Sequence, residues 1–311
     1  MSSPARYALP GLMLGAVLIG FAPIFVRLAD VGPTAAALWR LLLSLPLLAM
    51  LLPFNGAVRP EPATGDHATA AAPRRNYRWL WLAGFAFAAD LALWHRSLHL
   101  TSVANSTLLS NLSPVLLALT LHFGFGERQA RRYWIGLGLA VLGAGWLVAD
   151  SLRVDAASAL GDLLAVGTAA FYAVYQFLVS RQRRLFTVVE LMFHSGLAAV
   201  CLLLPLTLLS GETLWPQSLQ GWLILAGLAF ISHIGGQGLI AWAMAHLPAA
   251  FSSVTLLVQP VAAAVFAWLL LGERFGLQQV LGGIVVMAGI LLCRLSMPAL
   301  TREPPPDKPA A

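Results

Sequence analysis

Long apolar runs, separated by short polar or charged stretches, recur from one end of the chain to the other. A helix that crosses a bilayer needs about 20 mostly apolar residues, and backbone facing lipid must satisfy its own hydrogen bonds. The runs are continuous rather than alternating, which favours helices over the strands of a membrane β-barrel. The pattern predicts ten membrane-spanning helices, at residues 10–29, 33–53, 78–98, 101–123, 133–150, 158–179, 187–209, 219–245, 248–271 and 277–294.

The composition excludes a soluble globular protein. Hydrophobic residues make up 59% of the chain and charged residues only 10%, against about 25% charged in soluble domains. Cys201 and Cys293 lie in separate apolar runs, so we expect no disulfide framework, no metal site and no cofactor. The net charge of +6 comes from arginines scattered between the apolar runs, which does not indicate a nucleic-acid partner.

The distribution of the arginines predicts how the helices are oriented. Cytoplasmic loops carry an excess of Lys and Arg, and most of the basic residues fall on the cytoplasmic side if the N-terminus is inside. We therefore predict a multi-pass protein of the inner membrane with both termini in the cytoplasm. Residues 54–77 and 297–311 are rich in Ala, Pro or charges, and both are predicted to be disordered cytoplasmic segments.

An internal repeat divides the chain into two halves. Pro114 and Pro260 are separated by the same number of residues as Gly126-Glu127 and Gly272-Glu273. Each half, 10–150 and 158–294, would contain five spans, so the second half would insert upside down relative to the first. Inverted repeats are typical of secondary transporters, whose substrate lies near the midplane between the halves. We interpret the Gly-Glu pair as a turn, in which Gly ends one helix and Glu starts the next.

These residues resemble the paired EamA domains of the drug/metabolite transporter superfamily. The resemblance is carried by the Pro in the fourth span of each half, by the Gly-Glu that follows it, and by residues 21–29, 89–95 and 236–239. It covers nearly the whole chain. It implies ten spans, cytoplasmic termini and a central cavity of the kind used by exporters of amino acids, metabolites and drugs.

Asp90 is the most prominent charge inside a predicted span. It lies near the middle of the third span, with Trp94 on the same helical face. A charge at mid-bilayer costs about 2.5–3.5 kcal/mol on insertion scales, so it needs a partner, water or a function. As a functional residue, Asp90 would bind a cationic or amine-bearing substrate or carry a coupling proton. As a structural residue, it would hydrogen-bond a neighbouring helix.

His233 and Gln237 form a second candidate pair, one helical turn apart in the eighth span. With a gap of one residue, Gln237 takes the position of Asp90 in the repeat, which would place the two on opposite walls of one cavity. Glycines at 235, 236 and 238 weaken the helix and could expose backbone to a ligand. The same glycines could instead form a seam where two helices approach closely.

The sixth span supplies three further candidates, Tyr172, Tyr175 and Gln176. Aromatic side chains suit the wall of a substrate cavity, and they suit ordinary packing equally well. Pro114 and Pro260 each remove a helical hydrogen bond. They are interpreted as gating hinges or as static kinks.

Arg40, in the second span, could hold a substrate carboxylate. The pattern also places it within reach of the outer interface, where a long side chain can extend its charge to water. We therefore do not include Arg40 among the predicted site residues.

The function predicted from the sequence is secondary transport. The chain has no His-Glu-x-x-His helix, no nucleophile elbow and no Walker motif, so we expect neither an enzyme nor an ATP-driven pump. We predict an exporter of a small metabolite, amino acid or drug-like solute that works by alternating access in the lipid bilayer, with protons as one candidate coupling ion. An uptake permease and a non-transporting scaffold or sensor are the alternatives. The sequence predicts no oligomeric state.

Overall fold

The computed structural model describes residues 7–56, 75–101, 106, 109–148, 158–272 and 276–296. Over these residues the chain contains helices and no strands, as predicted. Most of the two segments predicted to be disordered lies outside the described residues, as do Glu273 and Arg274.

The N-terminal half, residues 7–148, places helices on all five of its predicted spans. Two of the spans are each broken into two helices. Of the fourth span, the structure describes residues 101, 106 and 109–123. The helices are α1 (Ala8–Ile19) and α2 (Ala22–Leu28), α3 (Pro33–Leu42) and α4 (Ser44–Leu51), α5 (Arg78–Leu100), α6 (Ser113–Leu119), and α7 (Arg131–Val148).

The C-terminal half, residues 158–296, also has a helix on each predicted span. A π-helix, Leu228–Gln237, interrupts the eighth span. The helices are α8 (Ala159–Gln182), α9 (Val188–Ser210), α10 (Leu219–Gly227) and α11 (Gly238–Ala243), α12 (Ala249–Thr255) and α13 (Val258–Leu271), and α14 (Leu277–Leu295).

Six helical segments are long and apolar enough to cross a membrane among the described residues. They are Ala8–Leu28, Pro33–Phe54, Ala159–Gln182, Val188–Ser210, Leu219–Ala243 and Ala249–Leu270. Apolar side chains such as Leu142, Leu209 and Leu223 remain at least 65% exposed, as expected where the surrounding solvent is lipid. These segments identify a multi-pass membrane protein, while the count of ten spans stays a prediction.

The helices α7 and α14 join the two halves through a contact between backbones. A Cβ atom on Gly289 would lie 2.6 Å from the carbonyl oxygen of Gly136, and one on Gly136 would lie 2.7 Å from that of Gly289. Only glycine permits this approach at both positions. The halves are therefore held closely together along this pair of helices.

The predicted Gly-Glu turns are partly correct. Gly126 and Gly272 both adopt positive φ, at 69° and 67°, as a helix-ending glycine does. The prediction that Glu127 starts the next helix is wrong, because α7 begins only at Arg131. Glu127 instead lies in the connecting loop, where its carboxylate pairs with Arg181 at 2.7 Å.

At one end of the bundle, which we call the arginine-rich end, polar side chains connect the halves. Asn55 donates a hydrogen bond to the Thr187 hydroxyl at 2.8 Å. Arg75 forms an ion pair with Glu190 and lies over the ring of Phe186. The Arg181–Glu127 pair belongs to the same end.

At the opposite end, which we call the acidic end, carboxylates of each half bind the start of a helix in the other. Glu212 accepts hydrogen bonds from the backbone N–H and the hydroxyl of Thr34, at 2.8 and 3.1 Å, in the first turn of α3. Asp30 accepts hydrogen bonds from the backbone N–H of Gln217 and the hydroxyl of Ser218, at 3.0 and 2.9 Å, just before α10. Glu212 thus caps α3 from the other half, whereas Asp30 holds Ser218, the residue that caps α10 with its own side chain.

Candidate functional site

A cavity lies between the two halves, in the middle of the bundle. Its empty space is about 860 Å³, including the open space at its mouth. Side chains from both halves line it. The lining residues are Ile19, Gly20, Ala22, Pro23, Arg40, Phe87, Asp90, Leu91, Trp94, Ser110, Asn111, Ser113, Pro114, Thr168, Tyr172, Gln237, Leu256, Gln259, Pro260 and Ala263.

Helix α5 supplies one wall of the cavity, with an aromatic side chain on either side of a carboxylate. Phe87, Asp90, Leu91 and Trp94 all line the cavity, because their spacing of three and four residues puts them on one helical face. The continuous helical pattern of residues 78–100 therefore determines which side chains meet the cavity.

Asp90 and Arg40 bring opposite charges to the same cavity. Their exposed fractions are only 7% and 4%, so both side chains are buried. Among the described residues the two side chains do not form an ion pair, because their nitrogen and oxygen atoms do not approach within 4.0 Å. The guanidinium group of Arg40 lies 5.7 Å from the ring centre of Phe87.

The seven predicted site residues divide into two groups. Four of them line the cavity: Asp90, Trp94, Tyr172 and Gln237. Tyr172, Gln237 and Gln259 all line the cavity, so the sixth, eighth and ninth predicted spans meet around one space. The remaining three, Tyr175, Gln176 and His233, are buried but do not line the cavity. The roles predicted for all seven in substrate binding and coupling stay predictions.

Phe87 connects the cavity to two of the buried residues. Its ring centre lies 4.7 Å from that of Tyr175 and 5.8 Å from that of His233, with the rings nearly parallel in each case. Neither ring nitrogen of His233 has a hydrogen-bond partner among the described residues, and neither does the side-chain amide of Gln176. These buried side chains therefore form a polar layer beside the cavity.

The glycines of the eighth span form part of the seam that the sequence left as an alternative. A Cβ atom on Gly236 would lie 2.7 Å from Ile19 Cγ1 and 3.1 Å from the carbonyl oxygen of Gly15. The π-helix that carries His233 and Gln237 therefore packs closely against α1 of the other half.

Both predicted hinge prolines line the cavity and follow a helix break. Residues 111 and 112 form a turn before α6, and residues 256 and 257 form a turn before α13. Pro114 lies at the second position of α6 and Pro260 at the third position of α13. The breaks are present, while their use as gating hinges stays a prediction.

Arg40 is the main cavity residue that the sequence argument left out. Hydropathy alone does not show whether an arginine in an apolar span extends to the interface or turns inward. A usable signal was present: Asp90 in the third span needs a positive partner nearby, and Arg40 is in the adjacent second span. Gln259, next to Pro260, also lines the cavity and is not among the seven predicted site residues.

The described residues contain no cluster of three or more His, Cys, Asp or Glu side chains that could hold a metal ion. The cavity instead offers one carboxylate, one guanidinium group, several amides and hydroxyls, and aromatic rings. These groups can bind a small solute of mixed polarity.

Comparison with known proteins agrees with this architecture. A chain in a solved crystal structure superposes with a TM-score of 0.76 over 93% of this chain and 97% of its own length. The sequence identity is 18%, so the likeness concerns the fold alone. An uncharacterized transporter of Archaeoglobus fulgidus is 25% identical over 290 residues, which cover 92% of this chain and 96% of the relative.

Two further relatives carry transporter names. The uncharacterized transporter YwfM of Bacillus subtilis is 26% identical over 70% of this chain and 74% of its own. A probable 4-amino-4-deoxy-L-arabinose-phosphoundecaprenol flippase subunit, ArnE of Pectobacterium atrosepticum, is 36% identical over 70 residues, which are 22% of this chain and 62% of ArnE. These relatives are named transporters and not enzymes.

The family model of the EamA-like transporter family matches residues 6–149 and again residues 159–295. Two matches in one chain agree with the internal repeat that was found from Pro114 and Pro260. The chain therefore belongs to the EamA-like transporter family.

Proposed function

We propose that the protein is a secondary active transporter that exports a small metabolite, amino acid or drug-like solute by alternating access. The observation that carries the proposal is the central cavity, which is lined by both halves and holds the buried charges of Asp90 and Arg40. A cavity between repeats is where secondary transporters bind their substrate. The direction of transport rests on the family resemblance.

The proposal includes ten spans in two inverted five-helix repeats, 10–150 and 158–294, in the inner membrane with both termini in the cytoplasm. The arginine-rich end supports this orientation, because Arg75 and Arg181 lie there and positive residues favour the cytoplasmic side. The cavity would then alternate between the two ends as the halves move around it.

Within this mechanism, Asp90 binds a positively charged group of the substrate or carries a coupling proton. Tyr172 and Gln237, which line the same cavity, orient the solute through hydrogen bonds. Tyr175, Gln176 and His233 lie beside the cavity and would meet the solute only after a rearrangement. Pro114 and Pro260 would act as the hinges of that rearrangement.

Binding and transport can be tested on the detergent-purified and reconstituted full chain. A thermal-shift screen with amino acids, nucleosides, polyamines and cationic dyes should identify solutes that raise Tm, because a ligand stabilises the state it binds. Each hit is then followed in proteoliposomes by counterflow. We expect counterflow of at least one hit, and a loss of about tenfold or more in its affinity in Asp90→Asn, the effect of removing a hydrogen bond to a charged group.

Asp162→Asn is the matched control, because Asp162 accepts a hydrogen bond from Thr101 at a helix end and does not line the cavity. Binding without counterflow would favour a sensor over a transporter. Uptake driven from the side of the acidic end in oriented vesicles, without efflux, would favour an uptake permease. A normal affinity in Asp90→Asn would assign Asp90 to packing.

A further inference from the structure

We infer that an anionic phospholipid binds where the helix pair α7–α14 reaches the arginine-rich end. Arginines of both helices hold its phosphate, and its acyl chains lie along the exposed apolar faces of the same helices. The inference goes beyond the proposed function, because it concerns the outer surface of the bundle and not the central cavity. It assigns a lipid site to charges that the transport proposal does not use.

The first observation is a group of four exposed arginines. Arg131 and Arg132 begin α7, Arg128 lies just before them, and Arg294 lies in the last turn of α14. All four residues are exposed, and none of their side chains forms an ion pair or a hydrogen bond with another residue that the structure describes. Their guanidinium groups are therefore available to a ligand from outside the chain.

The carboxylates of this end are already engaged. Glu127 pairs with Arg181, and Glu190 pairs with Arg75. They are the acidic residues of the arginine-rich end within the described part of the chain. The four free arginines therefore repel one another without a neighbouring carboxylate to compensate them, and an external anion would relieve this repulsion.

The packing of α7 on α14 brings arginines of the two halves to one place. The Cys293 thiol donates a hydrogen bond to the carbonyl oxygen of Tyr133 at 3.4 Å. A Cβ atom on Gly136, one turn further along α7, would lie 2.7 Å from Cys293 Sγ. Arg132 directly precedes Tyr133 and Arg294 directly follows Cys293, so one phosphate group is within reach of guanidinium groups from both helices.

Exposed apolar side chains continue from the arginines along both helices. On α7, Ile135 and Leu142 follow Arg131 by four and eleven residues, which places all three on one helical face. On α14, Leu291 lies one turn before Arg294. The three apolar side chains are exposed. A basic group at the end of an apolar face matches a phospholipid, whose phosphate lies at the head of its acyl chains.

The chemistry of each part fits this ligand. Guanidinium groups bind phosphate through paired hydrogen bonds, and basic sites between membrane helices bind anionic head groups. A phosphate between Arg132 and Arg294 would reduce the repulsion between the ends of two helices that belong to different halves. The lipid should therefore stabilise the contact that joins the halves.

The test uses the full chain, purified in a neutral detergent, and three probes. Dioctanoyl phosphatidylglycerol carries an anionic phosphate and acyl chains. Dioctanoyl phosphatidylcholine keeps the chains without a net charge, and glycerol phosphate keeps the phosphate without the chains. In calorimetric titrations we expect phosphatidylglycerol to bind about tenfold or more tightly than either of the others, with a preference that weakens as salt is raised. It should also raise Tm.

Variants of the two converging arginines locate the site. Arg132→Gln combined with Arg294→Gln should weaken phosphatidylglycerol binding by about fivefold for each arginine removed, and leave phosphatidylcholine binding unchanged. Lysine at both positions keeps the charges and should retain most of the preference. Arg78→Gln is the matched control, because Arg78 is an exposed arginine of the same end that lies on α5, and it should bind as the parent protein does.

The inference is overturned if phosphatidylcholine or glycerol phosphate binds as tightly as phosphatidylglycerol. It is also overturned if the preference persists in the double glutamine variant, or if Arg78→Gln loses as much of it per arginine, because the charge of the whole end would then attract the lipid. A second copy of the chain on this face is tested with Ile135→Cys in a Cys201→Ser background. Disulfide-linked dimers that form equally well with and without phosphatidylglycerol would assign the face to self-association. None of these outcomes concerns the cavity, so the proposed transport function is judged separately.

Discussion

At the arginine-rich end the halves meet through ion pairs between side chains, whereas at the acidic end carboxylates bind the backbone at helix starts. The Arg181–Glu127 pair is about as exposed as a surface pair, with 42% and 44% of the two side chains accessible. Glu212, by contrast, accepts hydrogen bonds from two consecutive backbone N–H groups, those of Thr34 and Ala35. The two ends therefore differ in how firmly they hold the halves.

This difference suggests different tasks for the two ends in alternating access. Exposed ion pairs contribute little, about 0–1 kcal/mol each, and salt screens them. Carboxylates at helix N-termini contribute about 0.5–2 kcal/mol and depend on a fixed geometry. We expect the arginine-rich end to open at lower cost and the acidic end to act as the stronger latch.

The largest expected effect comes from locking either end with a cross-link. Cysteines replacing Asn55 and Thr187 would lock the arginine-rich end, because these side chains are hydrogen-bonded. Cysteines replacing Asp30 and Ser218 would lock the acidic end in the same way. Oxidation should reduce counterflow by more than about tenfold at either end, since alternating access requires both ends to open in turn.

The measurement is counterflow before and after oxidation, in a background where the exposed Cys201 is replaced by serine. Single-cysteine variants are the controls, and reduction should restore transport. Full counterflow with either cross-link in place would mean that the corresponding end does not open, and the comparison between two gates would fail.

Several features of the fold and of the cavity could be predicted from the sequence. The repeat predicted matching turns, and Gly126 and Gly272 adopt the same positive φ. Hydropathy predicted where helices lie, and Asp90 was placed on a cavity face from its position in an apolar span. These features depend on local chemistry, on the helical period and on the membrane.

The parts that could not be predicted depend on which helices become neighbours. The inward direction of Arg40, the pairing of Glu127 with Arg181 and the capping of α3 by Glu212 each involve residues that are far apart in sequence. The π-helix before Gly238 is a further case, since its irregularity accompanies close packing against α1. A single sequence carries little information on which residues far apart along the chain come into contact.

The second largest effect is expected from Glu212→Ala, which breaks the stronger latch. The substitution removes the acceptor for the Thr34 and Ala35 N–H groups at the start of α3. We expect a loss of about 1–2 kcal/mol, and a fall in Tm of about 2–5 °C. Thermal unfolding in detergent measures this.

Glu212→Gln is the matched control, because the amide oxygen still accepts a hydrogen bond while the charge is lost. It should destabilise the protein less than Glu212→Ala. Equal Tm values for Glu212→Ala and the parent protein would show that the acidic end is no stronger than the other.

A smaller effect, expected to be equal at both ends, comes from the two turn glycines. Gly126 connects to the arginine-rich end and Gly272 is its counterpart in the repeat, and a Cβ atom at either position would meet nothing within 4 Å. The cost of Gly126→Ala and Gly272→Ala is therefore conformational, about 1 kcal/mol each for a left-handed backbone. Asparagine should cost less at both positions.

Thermal unfolding of the four variants compares the two turns directly. No side-chain contact is involved at either glycine. A large difference in Tm between Gly126→Ala and Gly272→Ala would therefore indicate that the two turns contribute unequally to stability, which the repeat does not predict. Gly138→Ala, in α7 with open space around its Cβ, is a control for alanine in a helix.

The smallest effect is expected from Arg181→Gln, which removes one ion pair from the arginine-rich end. The pair is exposed, so the free energy of unfolding should fall by less than about 1 kcal/mol. The ion-pair part of the loss should be largest at low ionic strength and should vanish near 1 M salt, where the screening length is about 3 Å. The part due to the contacts of Arg181 with the rings of Phe125 and Phe177 should remain. Glu212→Ala should keep most of its effect in the same salt series, because its acceptor binds backbone N–H groups at short range. A salt dependence that is equal for the two variants would show that both ends are held by ordinary surface charge, and the ordering of the two gates would then have to come from the packing of the helices.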